Sequence, residues 1–138
     1  MRRFLFCVLA LAVVSGCATM SDVMRSKDEG VAATYPVTFD QAWTIAKTVF
    51  RWEGSDAIEE HKDERYMLTS SGMNLLAGAW IDPISEGQMK VTVVTKRRVQ
   101  ACMCIFTTPT ETTIHKRFAQ AVEILKAGKP LPVKPPEQ

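Results

Sequence analysis

The chain has 138 residues, of which 46% are hydrophobic and 23% charged, with a formal net charge of +2. One ordinary domain with its own apolar core fits that length and composition. Wholesale disorder, a collagen-like repeat and a polytopic membrane protein are excluded by the same figures.

The chain opens Met1-Arg2-Arg3, continues as an apolar run from Phe4 to Val14, and then reads Ser15-Gly16-Cys17. As a helix that run spans only about 16 Å, roughly half the hydrocarbon core of a bilayer. Positive residues, a short apolar run and small residues together have the anatomy of an export signal over residues 1–16, with a lone helix expected over Phe4 to Val14 making few contacts with the domain. Val14-Ser15-Gly16-Cys17 resembles the lipobox of bacterial lipoproteins. That resemblance implies cleavage before Cys17, diacylglycerol on its thiol and a further acyl chain, such as palmitate, on the new amine. Ala18 in the following position implies delivery to the periplasmic face of the outer membrane, where the organism has one. Loss of Arg2 and Arg3 leaves 15 basic against 15 acidic residues, so the mature chain is formally neutral. A basic balance pointing to nucleic acid disappears with them. Two or three acyl chains anchor durably without a basic patch.

Residues 17–33 are small, polar and charged with no periodic apolar face, which reads as a flexible tether of roughly 20–25 Å. A β-branched run from Thr34 to Thr38 with Pro36 in it suggests an edge strand. Thr38 and Gln41 fit a capping box for an amphipathic helix over Phe39 to Trp52, closed by Gly54. Two strands, Ala57 to His61 and Tyr66 to Ser70, flank a charged turn. The acidic residues Asp56, Glu59, Glu60, Asp63 and Glu64 there are interleaved with His61, Lys62 and Arg65, as in a solvated hairpin.

A second hairpin is expected from Ala77 to Ile84 and Met89 to Arg98, around Ser85-Glu86-Gly87-Gln88. Pro83 implies that its strand is an edge or carries a bulge at that point. Residues 99–106 read as either a strand or an extended lead-in. Thr108-Pro109-Thr110-Glu111 fits another capping box, with Ile114, Phe118, Ala121, Val122 and Leu125 marking the apolar face of a helix to about Ala127. Gly128 supplies its C-terminal turn, and residues 129–138 form a Pro-rich extended tail. Its Pro132 to Pro135 spacing matches a PxxP ligand, although an unstructured terminus is the expected state.

The expected folded unit is therefore residues 34–128, ordered β-α-β-β-β-β-(β)-α. Two single-faced helices must lie on one side of an antiparallel sheet of four to six strands, giving a two-layer α+β sandwich.

Chemistry-bearing patterns are sparse. No nucleophile elbow, zinc-protease helix, Walker loop or dinucleotide turn is present. Cys102-Met103-Cys104 places two thiols on one side of a regular strand, and buried thiols are the expected state. Cys102, Cys104 and His115 also form an incomplete soft-ligand set, so a metal- or small-molecule-binding lipoprotein is the alternative function. A Cys104–His115 dyad lacks an evident third group to orient it. Lys96, Arg97 and Arg98 form a basic patch, read as a guarded sheet edge or as a contact for an anionic partner.

The order of lipobox, Thr-Tyr-Pro-Val-Thr-Phe-Asp-Gln-Ala-Trp, Val-Thr-Val-Val-Thr-Lys-Arg-Arg and Thr-Glu-Thr-Thr-Ile-His-Lys-Arg-Phe resembles small bacterial lipoproteins of uncharacterised function. The resemblance covers Cys17 to about Leu125 and implies a compact α+β envelope domain; it supplies no catalytic residues to carry over, and no cofactor is expected. The expected function is a non-enzymatic binding or structural accessory of the cell envelope. Its expected partners are the membrane, through lipid on Cys17, and an envelope protein or anionic lipid, with no nucleic acid.

Overall fold

The capping residues expected ahead of the first long helix close on each other. Thr38 Oγ1 accepts from the Gln41 N–H at 3.2 Å, and the Thr38 N–H donates to Gln41 Oε1 at 3.0 Å. In this computed structural model, which describes residues 18–71, 75–97 and 110–137, that box starts helix α2, Phe39–Trp52. The helix buries Trp43, Ile45, Ala46, Val49 and Phe50. Its end is released by Gly54 at φ +83°, and Gly128 plays the same part for the last helix at φ +71°.

Among the described residues five strands form one antiparallel sheet: β1 Val31–Tyr35, β2 Ser55–His61, β3 Tyr66–Ser71, β4 Leu75–Ser85 and β5 Gln88–Arg97. Their order is β1-β5-β4-β3-β2, so β1 and β2 are the edges. β1 is thus an edge strand as expected, but it lies before Pro36 rather than across it. Register fixes the faces, because side chains alternate along a strand. Leu75, Ala77, Ala79 and Ile81 of β4 join Met89, Val91 and Val93 of β5 in the main core, under α2 and helix α3, Glu111–Lys126. Ile114, Phe118, Ala121 and Val122 are the α3 contribution. Pro83 sits near the end of the interior strand β4, past its pairing with β3, where the register shifts between Pro83 and Ser85. The bulge was the correct alternative for it.

The opposite face of the sheet is also buried. Helix α1, Met20–Arg25, and a 3-10 turn at Lys27–Glu29 lie across it. Val23 of α1 enters a second cluster with Leu68, Leu76, Trp80 and Val94. Gly78 permits this approach, since a Cβ there would stand 2.9 Å from Val23 Cγ1 and 2.8 Å from the Trp80 ring. From Ala18 onward the expected tether is therefore folded structure, and the folded unit begins well before residue 34. The α+β architecture with two helices on one face is as expected, with this third, short helix added on the other.

The start of the last helix differs as well. The cap of α3 is Thr110, whose Oγ1 accepts from the Thr113 N–H, so Glu111 opens the helix instead of closing a box begun at Thr108. The Pro-rich tail is extended but pinned: the Trp52 indole N–H donates to the Pro132 carbonyl at 3.0 Å, and Arg117 donates to the Pro136 carbonyl at 2.9 Å. The signal segment 1–16, Cys17, Arg98, the segment 99–106, Cys102, Cys104, Thr108 and Pro109 lie outside the described residues.

Candidate functional site

Two places bring sequence-selected residues together. The first is the far end of β5. Lys96 sits on the same sheet face as Val94, and that face is the one α1 covers. Its ammonium lies 3.8 Å from Glu29 of the 3-10 turn. Ala18, Asp22, Arg25, Ser26, Glu29 and Lys96 line a polar recess of about 460 Å³. Asp22 accepts from Thr19 and pairs with Arg25 at 2.7 Å. The Thr19 backbone and hydroxyl donors, then Arg25, hold its carboxyl below the ordinary carboxylate range. Arg97 is exposed at the strand end. Lys27, next along, pairs with Asp82 at 3.6 Å and lies 6.0 Å over the Trp80 ring. Arg25, Lys96 and Lys27 are therefore matched by carboxylates from α1, the 3-10 turn and β4, and the recess carries both signs of charge.

The second place is the β1 edge, where α3 crosses it. His115 Nε2 lies 2.8 Å from the Val31 carbonyl oxygen, which can only accept, so that nitrogen carries the proton. The Nδ1 atom faces the Tyr35 hydroxyl at 2.7 Å. Tyr35 is 8% exposed, and burial pushes its phenol up to about 12. Nearby, β1 runs out at Val31 opposite Val93. The Thr95 N–H beyond that point donates instead to Glu111 Oε1 at 2.9 Å. Burial alone would raise the Glu111 carboxyl. Backbone donors of Glu111 and Thr95, with Lys96 nearby, outweigh it and hold the group below the ordinary range.

His115 thus serves the sheet edge with both ring nitrogens. Coordination of a metal through either one would break a protein hydrogen bond first. Cys102 and Cys104, the thiols considered with it, lie outside the described residues. Among the described residues no three of His, Cys, Asp and Glu are grouped to hold a metal ion.

The acidic hairpin is solvent-facing, and one of its exposed carboxylates has partners that the sequence did not single out. Glu60 accepts from the Trp43 indole at 2.8 Å and pairs with Lys47 at 2.7 Å, tying edge strand β2 to α2. Lys47 first, and Trp43 next, hold its carboxyl below the ordinary range. His61 stacks on Tyr66 at 4.4 Å between centroids and reaches Glu59. On the other side of the molecule a shallow apolar trough runs between α3 and the tail, lined by Lys116, Ala119, Gln120, Glu123, Ile124 and Pro136.

No described helix is long and apolar enough to cross a membrane. No protein-family model, curated protein or solved structure matches the chain.

Proposed function

We propose that the chain is a bacterial lipoprotein, held by lipid on Cys17 at the periplasmic face of the outer membrane. There it serves as a non-enzymatic binding or structural accessory of the envelope. The observation that carries this reading is the run Arg2-Arg3, Phe4 to Val14, Ser15-Gly16-Cys17, which sets one nucleophilic thiol directly after small residues and an export-type apolar segment. His115, the one imidazole considered for chemistry, is committed to Tyr35 and Val31. The exposed end of β5 at Arg97, on the sheet face opposite α1, is the proposed contact for an envelope protein or anionic lipid.

The test is Cys17→Ser in the full-length chain, expressed with an alkynyl fatty acid. The wild-type protein takes up label, loses its first sixteen residues and partitions into the detergent phase. The variant is expected to remain an unlabelled precursor. Equal labelling and processing of the two proteins would remove the anchor assignment.

A further inference from the structure

The distance between the proposed anchor and the fold is the least that a chain allows. Residues 18–33 contain α1, the 3-10 turn and the start of β1, so no free spacer separates Cys17 from the domain. Ala18 itself packs against the cluster of Val23, Leu68, Leu76, Trp80 and Val94. Consecutive Cα atoms are about 3.8 Å apart, so acyl chains on Cys17 bring the headgroup layer to within roughly 10 Å of Ala18. A domain of this size has a radius of gyration near 13 Å, and tumbling about a tether that short would drive it into the lipid. The side of the sheet carrying α1 must therefore face the bilayer, and the α2–α3 layer must face away.

We propose that α1 and the 3-10 turn form a seat on the bilayer surface that holds the domain flush and in one orientation. This rests on the lipid anchor at Cys17. The occupant is a lipid surface because covalent connectivity puts one there. The surface chemistry agrees. Met24 is 37% exposed on α1, and Asp22, Arg25, Glu29 and Lys96 present two charges of each sign around Ala18. That balance suits zwitterionic headgroups, whose phosphate and ammonium meet a cation and a carboxylate respectively, and it does not depend on a polybasic patch. Affinity comes from the acyl chains, and the seat supplies orientation.

The experiment places a photoreactive p-benzoylphenylalanine at Met24 in one full-length protein and at Lys116 of α3 in another, both in intact cells. Lipid adducts are expected several-fold more often from position 24 than from position 116. A spacer of about fifteen Gly and Ser residues inserted between Ala18 and Thr19 leaves the Cys17-Ala18 pair intact and is expected to erase that difference. Mass analysis of the Cys17 peptide from the same samples separates the two claims. With the acyl adduct present, equal lipid capture at both positions overturns the seat alone, as does capture of a protein at position 24. With the adduct absent, the anchor and the seat fall together.

Discussion

The Tyr35 hydroxyl stands 2.7 Å from His115 Nδ1, while Nε2 of the same ring reaches the Val31 carbonyl at 2.8 Å. Through this pair α3 holds both ends of the edge strand β1, with the Tyr35 ring packed on Phe118 at 4.4 Å. The His115 carbonyl oxygen is a second acceptor for the hydroxyl at 3.2 Å. Tyr35→Phe is expected to cost about 1 kcal/mol and His115→Ala about 1–2 kcal/mol. Because the two share one hydrogen bond, the double variant is expected to cost less than the sum, with a coupling of roughly 0.5–1.5 kcal/mol in urea denaturation. Strict additivity would show that the contact does not hold β1 in solution.

The same tyrosine sets a limit at high pH. Its phenol titrates near 10 when exposed and is pushed up to about 12 by burial. Between those values the unfolded chain has lost a proton that the folded chain keeps, so the folded state becomes progressively less stable as pH rises. Below about pH 10 both states are protonated and the site contributes no slope. Tyr66 is also raised, by partial desolvation and by Glu64 and Glu59, so the wild-type curve contains both phenols. Tyr35→Phe isolates the first. Its stability, measured by denaturation at stepped pH, is expected to fall less steeply from 10 to 12 than that of the wild type.

Gly78 decides whether α1 can lie on the sheet. A methyl there meets Val23 and the Trp80 ring at under 3.0 Å, within a cluster that has little room to give. Gly78→Ala is expected to destabilise by about 1–3 kcal/mol through overpacking. Hydrogen exchange is expected to rise over residues 20–25 while α2 and α3 keep their protection. Unchanged exchange in α1 would mean that its packing tolerates the methyl.

The tail is expected to contribute to stability despite its composition. Leu131 packs against the main core, and the Trp52 indole N–H and Arg117 Nη1 donate to the Pro132 and Pro136 carbonyls. Truncation after Gly128 removes all three contacts and is expected to cost about 1–3 kcal/mol, read as a lower urea midpoint.

What was legible in the sequence was local. Helix α2 announces itself through Thr38, Gln41 and an apolar period, all within fifteen residues, and both hairpins through their turns. Helix α1 was not legible because six residues with one buried side chain, Val23, carry no measurable period. The available clue lay elsewhere: Leu75 to Ile81 is apolar almost without alternation, which is how a strand reads when both faces are covered. Glu111 was assigned to its own helix cap because a capping pattern fits locally, whereas its carboxylate serves Thr95, sixteen positions away. The Tyr35–His115 contact joins residues 80 positions apart, and the tail is held partly through backbone carbonyls, which have no side-chain signature.

The central claim is that Cys17 carries the lipid that places this domain on the envelope. Intact-mass analysis of the N-terminal peptide from protein extracted from native membranes tests it most directly. The account predicts a peptide beginning at Cys17, heavier than its sequence by a diacylglycerol and a further acyl chain. A peptide that retains residues 1–16, or that begins near Cys17 with an unmodified thiol, would contradict it.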